Sequence, residues 1–304
     1  MNIVILDGYT INPGDLSWDR LRPLVNRLTV FDETPEDKII SRIGDNEILL
    51  TSKCAITRNV MEKCTKLKYI GSTATGYNNI DVSAAADMGI AVTNVPAYAT
   101  DAVAQHTIAL MLELTDNVGL HNDSVQSGQW SESKYFCYWK KPMMLLSGKS
   151  LGIVGYGAIG KKVAEIAKAL GMQVNIYSQD PSGALKSDFV SLHCPLTEAN
   201  KKMVNSEFLV NMKPGAFLIN TARGGLIDER ALADALKAGF IAGAALDVLE
   251  KEPPAESCPL IGLDNCIITP HMAWVPKEMR QAVIDTVCDN LESWLNNRML
   301  NRVD

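Results

Sequence analysis

The stretch LGIVGYGAIGKKVAEIAKALG, residues 151–171, restricts the fold of this chain more than any other. An apolar run of strand length, Leu151–Val154, breaks into Gly155, Gly157 and Gly160 in a Gly-x-Gly-x-x-Gly spacing. Helical periodicity follows at once, with Ile159, Val163, Ile166 and Leu170 forming one apolar stripe. Glycines are common in turns for backbone reasons alone, but strand, glycine turn and amphipathic helix in this order open a βαβ unit. There Gly155 permits the tight turn, Gly157 lets the backbone approach a pyrophosphate, and Gly160 allows close packing of helix on strand. The helix N-terminus at Ala158 and Ile159 then presents unpaired N–H groups and a positive dipole end to the phosphates. The stretch predicts a dinucleotide site, with S-adenosylmethionine as the competing ligand.

The rest of the chain repeats the alternation. Strand-length apolar runs occur at Ile3–Leu6, Ile48–Leu50, Tyr69–Ile70 and Ile90–Val92, with helical patterns between them, which predicts α/β architecture with parallel sheets. At 304 residues two domains are expected, and Pro96-Ala97 marks a joint. A helix is predicted from Thr100 to about Asn122, with Val103, Thr107, Leu110, Leu114 and Val118 on its buried face, and a final amphipathic helix spans Pro276 to Leu295. Residues 128–147, GQWSESKYFCYWKKPMMLLS, are aromatic-rich and aperiodic, which suits a packed connecting loop, or an oligomer contact or lid. A net charge of −6 leaves no basic footprint for nucleic acid or an anionic membrane surface. No run reaches the ~18 apolar residues of a spanning helix, and MNIVILDG resembles a first strand rather than a signal peptide. Seven scattered cysteines without a C-x-x-C pair suit reduced thiols in the cytosol, not a disulfide framework or a metal site.

Three further strand-like runs end in polar side chains. GAFLINTARGG (215–225) ends in Asn220-Thr221-Ala222-Arg223, and an arginine there can hold a carboxylate through two parallel hydrogen bonds. AGAALDVLEKEPP (242–254) delivers Asp247 and then Glu252, and NCIITPHMAW (265–274) ends at Pro270-His271. Each has a plainer alternative: a surface ion pair for Arg223, two solvated acids, and a structural histidine.

Taken together, GYGAIG, SLHCPLT, NTARGGLIDE, GAALDVLEKEPP and ITPHMAW, with GYNNIDVSAAADMGIAVTNVPAYATDAVAQHT upstream, resemble the D-isomer-specific 2-hydroxyacid dehydrogenases over nearly the whole chain. The segments TSKCAIT, VPAYATDAVAQH, YFCYW and HMAWVPKE are most similar to the branch that interconverts hydroxypyruvate and D-glycerate. The resemblance implies two Rossmann-like parallel-sheet domains. Residues 1–96 and 276–304 would form a flavodoxin-like substrate domain, and an inserted domain, 97–275, would bind the dinucleotide. It implies hydride transfer between NAD(P) and a small 2-oxo or 2-hydroxy acid, with Arg223, Glu252 and His271 as the catalytic set. Cofactor contacts are implied for Gly155, Gly157, Ala158, Ile159, Gly160, Ser178, His193, Cys194, Pro195, Thr221, Ala222 and Asp247. The turn Ala74-Thr75-Gly76 would receive the substrate carboxylate on backbone amides, together with Arg223 and His271. A cytoplasmic homodimer joined through the cofactor domain is also implied. Other readings are oxidation of D-lactate or another D-2-hydroxy acid, and a non-enzymatic dinucleotide sensor on the same fold.

The stretch QVNIYSQDPSGALKSDFVSLHCP, 173–195, departs from the family in two ways. NAD users of the family place Asp directly after the strand-ending Tyr; here that place is Ser178, with neutral Gln179 and then Asp180, and no arginine follows. NAD ranks just ahead of NADP on that basis, with Asp180 available to take over the ribose contact if it turns inward. Only Gln179–Ser187 separates this strand from the next, where the family spends a further strand and helix, so the cofactor sheet is expected to lack an edge strand.

Overall fold

The computed structural model describes residues 1–304, and the chain divides into two compact units: Met1–Ala99 with Val275–Asp304, and Thr100–Trp274. In the first unit five parallel strands, β1 (Asn2–Ile5), β2 (Arg27–Val30), β3 (Ile48–Thr51), β4 (Tyr69–Ser72) and β5 (Ala91–Thr93), are ordered β2-β1-β3-β4-β5. That is the flavodoxin-like order. β3 and β4 are buried at every residue, as strands covered on both faces must be, which is why they stand out as apolar runs. β2, RLTV, lies at the sheet edge and is half exposed, so its composition carries no such signal. Helices α1 (Ile39–Ile43), α2 (Arg58–Lys63) and α3 (Val82–Asp87) connect the strands, and Asp81 caps α3 by accepting the Ala84 N–H.

The second unit begins with α4 (Thr100–Asp116) and α5 (Val118–Gln126). The single helix expected to Asn122 is broken, because Asn117 takes a left-handed conformation (φ 49°). Val118 is 62 % exposed rather than on the buried face. Periodicity alone does not detect such a break, since asparagine tolerates this backbone without interrupting the apolar pattern. Then come β6 (Ser150–Val154), α6 (Ala158–Ala169), β7 (Gln173–Ile176), α7 (Pro181–Leu185), β8 (Phe189–Leu192), α8 (Ser206–Asn211), β9 (Phe217–Asn220), α9 (Glu229–Lys237), β10 (Gly243–Leu246) and β11 (Cys266–Ile268). The parallel sheet runs β11-β10-β9-β8-β6-β7. The usual doubly wound order has a third strand outside the second. Here β7 is itself the edge, and five-residue α7 returns the chain directly to β8. The shortcut is packed into the core: Ala184 is fully buried, and a Cβ on Gly152 of β6 would sit 2.1 Å from its carbonyl oxygen.

The last helix, α10 (Lys277–Leu295), belongs to the first unit, where Arg280 pairs with both oxygens of Asp15 at 2.7 Å and Asn290 donates to the Asn94 carbonyl. No helix is long and apolar enough to cross a membrane.

Candidate active site

The sheet order of the second unit reverses between β6 and β8, where open α/β sheets bind ligands at the carboxyl ends of their strands. Each glycine of the 155–160 turn has a distinct surrounding there. Gly155 has φ +99°, and a Cβ on it would lie 2.5 Å from the Cys194 nitrogen, so the turn and the His193-Cys194 backbone touch. Gly160 packs as tightly, with a Cβ position 2.2 Å from the Gly155 oxygen. A Cβ on Gly157 would meet no protein atom within 4 Å. Gly157 is also the N-cap of α6 and brings no capping side chain, so the first-turn amides at Ala158 and Ile159 lack a partner from the cap. Two close packings and one open approach in front of a helix N-terminus fit a dinucleotide pyrophosphate.

Beside this turn, the His193 N–H donates to the Val154 carbonyl at 2.7 Å and its Nε2 lies 2.9 Å from the Ser191 hydroxyl. Nδ1 is buried without a partner, and burial lowers the ring to about 4, so His193 is neutral at neutral pH. Burial also pushes the Cys194 thiol up, away from nucleophilic character. Pro195 accepts the Asn200 side-chain amide on its carbonyl. Ser178 stands exposed past the end of β7. Asp180 does not turn inward; its Oδ1 accepts the Gly183 N–H at 2.9 Å as the cap of α7.

The ends of β9, β10 and β11, neighbours in the sheet, carry the remaining side chains. Arg223 is set by Asn220, which is fully buried: the Asn220 amide donates to the Arg223 carbonyl at 2.9 Å while its oxygen accepts the Ala222 N–H. Gly224 seals this turn, since a Cβ there would fall 1.9 Å from the Leu249 carbonyl carbon. Thr221 is tied to α4 through the Thr107 hydroxyl at 2.9 Å. The Arg223 side chain is exposed.

Glu252 and His271 meet: Nδ1 lies 2.6 Å from Glu252 Oε2, and Glu252 Oε1 accepts the Leu249 N–H. This leaves Nε2 as the ring nitrogen not engaged by Glu252. His271 has φ 52°, a region uncommon for a residue with a side chain. Asp247 holds it there. The His271 N–H donates to the Asp247 carbonyl at 2.8 Å, and the Met272 and Ala273 N–H groups donate to the two carboxylate oxygens at 2.9 Å. Thr269 donates its hydroxyl to the same carboxylate at 2.6 Å and lies 3.1 Å from His106 Nε2. Asp247 is 1 % exposed. Burial works to raise its carboxyl, but His106, Thr269 and the two amides outweigh it and hold the group below the usual range.

In the first unit, Ala74-Thr75-Gly76 follow β4 with their carbonyls engaged. Ala74 O accepts the Val95 N–H, Thr75 O accepts the Asn94 amide, and the Ser72 hydroxyl serves Gly76 O. Their own amides donate to no protein group, so the turn is an arrangement of unspent N–H donors, suited to an anion. Sequence reasoning gave no role to Ser72, Asn94, Asn220, Thr269 or His106. Their only signal is a polar residue beside a buried strand end or on a helix face, which does not say what it bonds.

The family profile described as D-isomer specific 2-hydroxyacid dehydrogenase, NAD binding domain, matches residues 108–273. The chain is 43 % identical to the hydroxypyruvate reductase of Blautia hydrogenotrophica over the whole of both proteins. It is 41 % identical to the glycerate dehydrogenase of Methylorubrum extorquens, covering 89 % of each. Among solved structures, the NADPH-dependent glyoxylate/hydroxypyruvate reductase of Sinorhizobium meliloti superposes with a TM-score of 0.85 at 27 % identity, over 99 % of this chain and 97 % of that one. The chain belongs to the D-isomer-specific 2-hydroxyacid dehydrogenase family.

Proposed function

We propose that this protein is a nicotinamide-dependent reductase of hydroxypyruvate, running in reverse as a D-glycerate dehydrogenase. The observation that carries the chemistry is the Glu252–His271 pair at 2.6 Å. The relatives of highest identity quoted above support the substrate. When bound at the glycine turn, the cofactor supplies a hydride to the substrate carbonyl carbon or accepts one from the alcohol carbon. His271, held through Nδ1 by Glu252, gives the Nε2 proton to the carbonyl oxygen as negative charge builds there, and in oxidation takes it back. A positioned proton donor of this kind is worth ~10²–10⁴ in rate. Arg223 holds the substrate carboxylate and polarises the ketone; in the first unit, the unspent amides of Ala74, Thr75 and Gly76 likewise suit a carboxylate. Asn220 and Asp247 act through Arg223 and His271 as positioning residues.

The test is consumption of NADH and of NADPH against hydroxypyruvate, glyoxylate, pyruvate and larger 2-oxo acids. The highest kcat/KM falls on hydroxypyruvate, and Arg223→Lys, which lacks the planar fork, loses most of it. Silence on every acid, with tight cofactor binding retained, would replace this reading with that of a dinucleotide sensor.

We place this enzyme in the cytoplasm as a homodimer. All seven cysteines are unpaired, which suits a reducing compartment. Val118, Tyr135, Phe136, Trp139 and Leu145 are 62–89 % exposed, and so many large apolar groups in one stretch suit an interface with a second copy. Sedimentation velocity reads a dimer, and Phe136→Ser with Leu145→Ser a monomer; a monomeric wild type would overturn the assembly.

A further inference from the structure

We infer that the dinucleotide site of this protein does not select between NAD and NADP. The inference rests on the dinucleotide reading above and concerns the adenosine end alone. In a Rossmann unit the selection is made just past the second strand. An acid there bonds the ribose hydroxyls and repels a 2′-phosphate, whereas an arginine clamps that phosphate. Here the second strand is β7, and neither device is in place.

Four residues follow it. Tyr177 stacks on Phe208, with ring centroids 6.4 Å apart. Ser178 and Gln179 are exposed and uncharged. Asp180 is the one acid, and it is committed to capping α7. A Cβ on Gly183 would lie 2.2 Å from Asp180 Oδ2, so the carboxylate lies closely against the helix it caps. That helix is anchored in turn. Asn175 donates to the Gly183 carbonyl and the Ser187 hydroxyl, Ser187 donates to the same carbonyl, and Ala184 fills the space over Gly152. Releasing Asp180 toward a ribose means undoing the contacts that close the shortcut from β7 to β8.

The arginine is missing as well. Between Thr100 and Trp274 the sequence has two arginines, Arg223 after β9 and Arg230 on α9, and none on β7 or α7. Because β7 is the sheet edge and Ser178 is exposed, a 2′-phosphate there keeps its water and is screened by salt. It gains no arginine fork, and the nearest acid, Asp180, is held on α7 rather than turned onto the ribose.

The test is the equilibrium dissociation constant of NADH and of NADPH for the substrate-free protein, read by fluorescence and needing no turnover. The two constants fall within about tenfold of each other. Ser178→Asp weakens NADPH by about tenfold or more and leaves NADH within about threefold. Asp180→Asn, which preserves the cap, leaves the ratio unchanged within about twofold. A wild-type gap well beyond tenfold, no effect of Ser178→Asp, or tighter NADPH binding by Asp180→Asn would each overturn the inference. Binding of neither nucleotide would overturn the dinucleotide reading itself, and the inference with it.

Discussion

Replacing Asp247 by asparagine tests how the reactive histidine is held. In the wild type one carboxylate oxygen accepts the Thr269 hydroxyl at 2.6 Å and the Met272 N–H at 2.9 Å, and the other accepts the Ala273 N–H at 2.9 Å. Asparagine has the same shape but one oxygen, so at least one of these donors faces an NH₂ group. Losing a hydrogen bond to a charged acceptor costs about 1.5–3 kcal/mol, and a buried N–H left without a partner costs about 1–3 kcal/mol. The two overlap, and a destabilisation of about 2–4 kcal/mol is expected. For a unit of this size that lowers its melting transition by roughly 4–16 °C. The same loss frees the left-handed turn at His271, and a misplacement of about 1 Å costs about 10² in kcat. Calorimetry and steady-state kinetics read the two effects, and fluorescence titration of NADH reads a third. If the melting point stays within about 1 °C while only NADH affinity falls, Asp247 acts on the cofactor and not on the turn.

Glu252→Gln keeps a hydrogen bond to His271 but removes its charge, and kcat/KM drops by about 10–100-fold; an unchanged value would show that the charge is irrelevant to proton transfer. Gly152→Ala places a methyl 2.1 Å from the Ala184 carbonyl oxygen, with backbone as the obstacle. A loss of ~3 kcal/mol or more follows, measured by chemical denaturation, and a stable variant would mean α7 can move aside. His193 gives stability an acid limb. The unfolded ring binds a proton below about 6.5, while the buried ring refuses it until about 4, so stability falls as pH drops through that window. The slope reaches ~1.4 kcal/mol per pH unit, and His193→Gln abolishes it; equal slopes in the two proteins would contradict the assignment.

Legibility in the sequence followed burial. β3 and β4 are covered on both faces and could be read as apolar runs, whereas β2 at the edge could not. The glycine turn was legible because three glycines at fixed spacing have few other uses between a strand and a helix. Arg223, Glu252 and His271 were visible as polar ends of apolar strands, with the family resemblance assigning their roles. The break at Asn117 was hidden, since an asparagine in a helical pattern looks like any polar position.

The chain by itself determined the alternation of strands and helices, the dinucleotide turn, and the absence of arginine from the adenosine end. Those are properties of local composition and spacing, which survive without knowledge of neighbours. Only the tertiary structure decided that Glu252 reaches His271 across 19 residues, that Asp247 is spent on holding the His271 turn, and that Asp180 caps α7. Each is a choice among partners that a polar side chain could equally make. Packing makes that choice, because a buried acceptor takes the donors the fold brings within about 3 Å and is costly to leave without them.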